Sequence, residues 1–202
     1  MKPIVLASAS PRRKKLFEQM NISVTVIPSS IEENVDDRLE PGKIVCSLAR
    51  QKGEDVARNE SSSIVISADT IVVQNNTILG KPKNKQEAAS ILRNLSGKVH
   101  SVYSGVNILE TDSEFNYINT LSFYERTKVT FSPLDELEID RYIETGSPMD
   151  KAGAYGIQDD MGSLFVEKIE GDYYNVVGFP VNAFYQNLKT RRHELFSKIF
   201  RT

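Results

Sequence analysis

Apolar positions along the 202-residue chain fall into two patterns, continuous or alternating runs that suit strands and three-to-four-residue spacings that suit helices. Ile4, Val5 and Leu6 form the first run, short and wholly apolar, as in a strand buried on both faces. The small residues Ala7, Ser8, Ala9 and Ser10 follow, and then Leu16, Phe17 and Met20 fall on one helical stripe. Ser10 is expected at the N-cap of that helix and Pro11 at its first position. Residues 23–27 read as a strand, and 43–57 as a helix carrying Ile44, Val45, Leu48, Ala49 and Val56 on its apolar side. Residues 61–74 make the most apolar strand, interrupted midway by Asp69 and Thr70. Asn75-Asn76 marks a hairpin turn into 78–82.

Asn84 with Glu87 resembles a capping box ahead of Ala88, Ile91, Leu92 and Leu95, and Gly97 closes that helix. Residues 99–109 and 121–131 alternate as two long antiparallel strands joined by a polar segment, 110–119. Ser132-Pro133 predicts a further helix start, with Gly146 as its stop. Residues 147–162, rich in Gly and Asp, read as an ordered loop, 164–169 and 174–177 as strands, and the chain from Pro180 as one or two amphipathic helices. Strands alternating with helices, plus a long hairpin, predict an α/β fold around a mixed sheet.

Composition narrows the class. The length suits one domain, or a domain with a lobe, with a sizeable core. A net charge of -2 gives no global attraction to nucleic acid or to an acidic membrane. A single cysteine, Cys46, excludes an intramolecular disulfide. No apolar run approaches the roughly 20 residues that span a bilayer, and the start lacks the long apolar core of a secretory signal. A soluble, cytoplasmic protein is expected.

The chemistry concentrates at a few places. A strand, a small-residue turn and a helix start form an anion site, because unpaired N–H groups and the positive end of the dipole point outward. Arg12, Arg13, Lys14 and Lys15 add cations in that first turn, where they oppose the dipole unless an anion offsets them. Arg13 shares the Leu16/Phe17/Met20 stripe, so its head is expected to turn toward the strand ends, while Lys14 and Lys15 face solvent. Asp69 stands in a strand otherwise fit for burial, where a carboxylate is costly unless it is paired, hydrogen-bonded or holding a metal. It reads as a group at the end of a central strand, where α/β folds place ligands, or as the cap of a bulge or turn. Glu32 and Glu33 alone read as a solvated acidic turn, and gain meaning only as partners for Asp69.

Two carboxylates with cations nearby suggest Mg²⁺ or Mn²⁺, hard ions that take oxygen ligands. His100 and His193 lie far apart and Cys46 stands alone, which argues against zinc. Lys81 lies on a stiff Leu-Gly-Lys-Pro turn, Lys52 on the polar edge of a helix, and Gln158 in a loop of small residues where it can read a base edge or satisfy backbone. No Walker-type loop, dinucleotide fingerprint or Gly-x-Ser-x-Gly elbow is present.

Several segments, in order, resemble the Maf family of nucleoside triphosphate pyrophosphatases. They are Leu-Ala-Ser-Ala-Ser-Pro-Arg-Arg from Leu6, Ile-Glu-Glu from Ile31, Leu-Ala-Arg-Gln-Lys from Leu48 and Ser-Ala-Asp-Thr-Ile-Val from Ser67. Leu-Gly-Lys-Pro from Leu79, Leu-Ser-Gly-Lys-Val-His-Ser-Val-Tyr-Ser-Gly-Val from Leu95, Asp-Lys-Ala-Gly-Ala-Tyr-Gly-Ile-Gln from Asp150 and Asn-Val-Val-Gly-Phe-Pro from Asn175 complete the set. The resemblance implies a single Maf-like domain over 1–202. Its expected form is a mixed twisted sheet flanked by helices, in two lobes with a cleft between, similar also to inosine triphosphatases.

The resemblance further implies a divalent cation (Mg²⁺ or Mn²⁺), a cytoplasmic location and a homodimer. The implied reaction is metal-assisted attack of water at the α-phosphate, releasing the monophosphate and pyrophosphate. Asp69 matches the family's proton acceptor, and Glu33 and Asp69 would hold the metal. Ser8, Arg13, Glu33, Lys52 and Lys81 match positions lining the phosphate and metal site. Arg12, Thr70 and Gln158 match positions tied to substrate choice in the branch acting on dTTP and UTP. After Gln158 the family has a glycine, whereas this chain has Asp159, Asp160 and Met161 before Gly162, a departure in the base-reading loop. The implied substrates extend to modified pyrimidine nucleotides; the rival readings are a pyrophosphatase for another modified or a purine triphosphate, and a nucleotide-binding regulator without turnover.

Overall fold

The computed structural model describes residues 2–158 and 160–200, the side chain of Asp160 excepted. In chain order the elements are β1 (Ile4–Leu6), α1 (Pro11–Gln19), β2 (Thr25–Val26), α2 (Pro41–Ala57), β3 (Ile64–Gln74), β4 (Thr77–Leu79) and α3 (Lys85–Leu95). They continue with β5 (Val99–Thr111), β6 (Tyr117–Phe131), α4 (Glu136–Glu144), three short 3-10 turns between Ser147 and Phe165, β7 (Val166–Glu170), α5 (Tyr173–Val177), α6 (Val181–Arg191) and α7 (His193–Phe200). Among the described residues the strands form a seven-stranded sheet in the order β2-β1-β3-β5-β6-β7, with β4 paired to β3. The sheet is mixed: β1 runs parallel to β2 and β3, while the β3–β4 and β6–β7 pairs are antiparallel. This is the α/β class read from the sequence.

The chain divides into two compact units. The first comprises residues 1–69, 104–125 and 178–202, and the second residues 70–103 and 126–177, so β3, β5 and β6 each pass from one unit into the other. In the first unit Val5, Ala7, Val56, Ala57, Val65 and Leu109 make one buried cluster. Phe17 of α1 packs on Phe179 and Phe184 at 5.0 and 5.8 Å between ring centroids. In the second unit Leu92 and Leu95 of α3, Tyr142 and Ile143 of α4 and Phe131 of β6 lie in a common core with Tyr155 and Phe165.

Several boundaries differ from the sequence pattern, each for a local reason. β3 is not broken by Asp69 and Thr70. It runs unbroken through both, so Asp69 lies at mid-strand rather than at a strand end, and its carboxylate is paired rather than capping a turn. Residues 174–177 form part of the helix α5 rather than a strand: Asp172 Oδ1 accepts from the backbone N–H of Tyr174 and starts the turn, and the apolar run is too short to show its period. Helix α4 starts at Glu136, not at Ser132-Pro133, because Asp135 and Glu138 form the capping box while Ser132 N–H is spent on the Phe165 carbonyl. The Asn84 carboxamide does cap α3, but Glu87 reaches back to Lys83 N rather than to Asn84 N.

Asn75 and Asn76 turn the β3–β4 hairpin with φ of 48° and 62°, a left-handed conformation that asparagine tolerates. The polar connection shrinks to 112–116, since β5 and β6 extend into 110–119. Glu110, read as loop, is thereby a strand residue with no exposed side-chain surface, ion-paired to Lys2 at 2.9 Å and Lys198 at 2.8 Å. Burial alone would raise its pKa, but hydrogen bonds from Lys198, Lys2 and Asn119 hold it below the ordinary carboxylate value.

Candidate active site

The site in the first unit is assembled from α1, α2, β3 and the loop between β2 and α2. Ser10 caps α1, its hydroxyl accepting from Arg13 N at 3.5 Å. Within the small-residue turn, Ser8 Oγ accepts from Ser10 N and from an Arg13 terminal nitrogen, each at 3.2 Å. Arg13 Nε donates to the Gly178 carbonyl at 2.8 Å. Gly178 has φ of 122°, outside what an L side chain adopts comfortably, and its carbonyl is therefore aimed by a residue chosen for backbone freedom. Arg13 thus turns inward as its place on the stripe predicts, while Lys14 and Lys15 are exposed. Burial lowers the Arg13 pKa from its ordinary value and Arg12 adds to that, against the opposing charges of Asp69 and Glu33. Asp69 and Glu33 are therefore within electrostatic reach of this guanidinium.

Lys52 joins the two carboxylates. Its ammonium lies 2.5 Å from Asp69 Oδ1 and 2.9 Å from Glu33 Oε1, with 17 % of the side chain exposed against 11 % for Asp69 and 43 % for Glu33. The helix reaches Asp69 because α2 approaches the sheet closely one residue further on. At Gly53 an added Cβ would stand 2.7 Å from Ser67 Oγ and 3.0 Å from Asn107 Oδ1, and Ser67 Oγ itself donates to the Ala49 carbonyl at 2.6 Å. A glycine inside a helix costs about 1 kcal/mol relative to alanine, and that sequence signal at Gly53 marks the close approach that brings Lys52 over Asp69. Glu33 is held from the loop side: Gln51 grips the backbone of Asn34, and Asp55 takes Ser29 Oγ and Ser30 N at 2.8 and 3.1 Å.

Two carboxylate oxygens lie within 2.9 Å of one positively charged atom. That donor set is chemically right for a hard cation, which takes one or two carboxylates and completes its shell with phosphate oxygens and water. Among the described residues no group of three or more His, Cys, Asp or Glu side chains forms a protein-only metal cage. His100 is only 2 % exposed, shares a 2.7 Å hydrogen bond with Tyr155, and is pushed by burial to a pKa of about 4, so it is a neutral core group and not a ligand.

Of the remaining sequence candidates, Thr70, Lys81 and Gln158 belong to the second unit. Thr70 follows Asp69 on β3, and its side chain is half-buried. Lys81 is exposed on the turn after β4. That turn is tied to the 150–158 loop by Gly153 N, which donates to the Gly80 carbonyl at 3.1 Å. Gly153 has φ of 72° and sits against Val72, so this contact needs a glycine. Gly156 N donates to Tyr142 Oη at 3.2 Å, and Gln158 beyond it is exposed. Of the departure after Gln158, Asp159 and the side chain of Asp160 lie outside the described residues. Arg12 is half-buried in the first unit, at the start of α1. Sequence reasoning did not find the Gly178 carbonyl, the Gln51 and Asp55 ties, or Lys52 as the bridge between carboxylates. The signals were the Gln-Lys-Gly run at 51–53 and the Gly-Phe-Pro at 178–180.

A sequence family described as Maf-like protein matches residues 3–191. A protein of Bacillus anthracis (strain CDC 684 / NRRL 3495) named dTTP/UTP pyrophosphatase is 50% identical over 189 residues, 94% of this chain and 95% of that protein. One of the same name from Bacillus cereus (strain ATCC 10987 / NRS 248) is 50% identical over 94% of this chain and 90% of its own length. Among solved structures, the Staphylococcus aureus Ham1 protein matches 65% of this chain and 72% of its own, at 16% identity and a TM-score of 0.42.

Proposed function

This chain belongs to the Maf-like protein family, and on that footing we propose that it is a nucleoside triphosphate pyrophosphatase hydrolysing dTTP and UTP to the monophosphate and pyrophosphate. The observation that carries the reading is Lys52 bridging Glu33 and Asp69 with Arg13 in electrostatic reach, since this puts acidic and cationic groups of the phosphate chemistry in one place.

Glu33 and Asp69 would hold a divalent cation, Mg²⁺ or Mn²⁺, which when bound neutralises phosphate charge and makes water easier to deprotonate. Asp69 is the proton acceptor: its carboxylate is fixed in a rigid strand, and the ammonium of Lys52 settles its orientation without a flexible loop. Lys52 and Arg13 bind phosphate oxygens, where fixed charges stabilise a phosphoryl-transfer transition state without reorganising. Ser8 acts as a donor to phosphate, because its oxygen already accepts twice and only its O–H remains to be offered. For Lys81 a role with phosphate, and for Arg12, Thr70 and Gln158 a role in the choice of nucleotide, are supported by the family resemblance. The reading extends to a cytoplasmic homodimer, supported by the family resemblance.

The test is pyrophosphate release from a panel of canonical and modified triphosphates, with Mg²⁺ and Mn²⁺ varied. The expected result is metal-dependent turnover with dTTP and UTP favoured over purine triphosphates. Purine preference would overturn the substrate assignment, and nucleotide binding without pyrophosphate release would overturn the enzyme.

A further inference from the structure

We propose that Gln51 is a positioning residue that sets the strength of divalent-cation binding, by holding the Glu33 carboxylate over the Lys52–Asp69 pair; this rests on the reading of Glu33 and Asp69 as cation ligands. Gln51 carries its carboxamide to the backbone of Asn34, the residue next to Glu33. Its Nε2 donates to the Asn34 carbonyl at 2.9 Å and its Oε1 accepts from Asn34 N at 3.0 Å. Only one orientation of the amide satisfies both, since donor and acceptor are exchanged with a single peptide residue. The same Nε2 also reaches Ser47 Oγ at 3.3 Å, one helical turn back, which fixes the side chain on α2.

One turn further along α2, Asp55 Oδ2 accepts from both Ser29 Oγ and Ser30 N, and Ser29 Oγ in turn accepts from Ile31 N at 3.4 Å. The acidic loop is thereby tied to the helix at two points, 29–30 and 34, with Glu33 beside the second. Lys52, which receives Glu33, is the immediate neighbour of Gln51 on the same helix. The loop has no secondary structure of its own over 28–36. Without the two ties the carboxylate, whose side chain is 43 % exposed, would keep its ion pair with Lys52 but lose the backbone placement beside it.

Groups that orient a metal ligand from behind typically change metal affinity about 10- to 100-fold when removed. A solvent-accessible clamp of this kind adds little to global stability, so the two effects separate.

The experiment titrates Mn²⁺ directly, by the loss of the free-ion electron paramagnetic resonance signal, on the folded wild type and on Gln51→Leu. Thermal unfolding and kcat at saturating Mn²⁺ are measured beside it. Gln51→Leu is expected to weaken Mn²⁺ about tenfold, with the melting temperature nearly unchanged and kcat recovered once Mn²⁺ saturates. Ser29→Ala, neutral in charge, loosens the other tie and is expected to shift Mn²⁺ affinity the same way by less. Unchanged Mn²⁺ affinity in Gln51→Leu, or a kcat loss that saturating Mn²⁺ does not recover, overturns the positioning role while leaving the function intact. If Mn²⁺ binding in the wild type is absent, or survives Glu33→Gln and Asp69→Asn together, the positioning role and the assignment of the site both fall.

Discussion

Asp69→Asn is expected to lower kcat by about 10²- to 10⁴-fold, the range that a positioned proton acceptor contributes, while nucleotide still binds. The substitution keeps the shape of the side chain and an oxygen that can accept from Lys52 at the position now 2.5 Å away. What it removes is the charge that holds a cation and the basicity that takes a proton. Phosphate binding is proposed for Arg13, Ser8 and Lys52 instead, so the dissociation constant should move far less than kcat. The check is pyrophosphate release under saturating nucleotide beside calorimetric binding of the same nucleotide. A variant that keeps its turnover would remove Asp69 from the mechanism. Equal losses in binding and kcat would make it a structural residue.

Gly105→Ala is expected to destabilise the protein by about 3 kcal/mol, the upper end of overpacking costs, and to take activity with it. A Cβ at this position in β5 would stand 2.3 Å from both the carbonyl carbon and oxygen of Val45 and 2.6 Å from Cys46 N. These atoms are helix backbone, so no side-chain rotation relieves the clash and α2 must lift off the strand as a body. Gly53, on the same helix, shows how close that packing is elsewhere, and Lys52 rides on it. Urea unfolding measures the first effect. The second follows in the fraction that stays folded, whose kcat should fall because the ammonium no longer reaches both carboxylates. Wild-type stability in Gly105→Ala would mean that α2 is not seated on β5 as closely as this packing requires.

Much of the architecture was legible in the residues because local signals and burial agree there. Ser10-Pro11, Asn75-Asn76 and Asn84 mark α1, the β3–β4 hairpin and α3 through groups whose partners lie within four residues. Errors arose where a tertiary partner overrides the local pattern. Asp69 looks like a strand breaker until Lys52, 17 positions earlier, is known to neutralise it. Glu110 looks like a loop residue until Lys2 and Lys198 supply the charge that makes burial tolerable. Tyr174–Val177 reads as a strand for a different reason: a single helical turn cannot be told from a strand by periodicity.

The candidate site shows the same split. Asp69 and Arg13 announce themselves by being ill-suited to an apolar strand and to a helix N-terminus. Glu33 does not, since an exposed glutamate in an acidic loop carries no local sign of its partner, and its assignment came from family resemblance. The helix that organises it does so through Gln51 and Lys52, which on sequence alone are ordinary polar-face residues of an amphipathic helix.

On the proposed function, Glu33, Lys52, Asp69 and Arg13 direct water to the α-phosphorus of a nucleoside triphosphate. Hydrolysis of dTTP in ¹⁸O-enriched water, with mass analysis of both products, tests this directly. The predicted result is one ¹⁸O in the monophosphate and none in the pyrophosphate, with the labelled product lost in Asp69→Asn. Label in the pyrophosphate, or release of nucleoside diphosphate and inorganic phosphate, would contradict it.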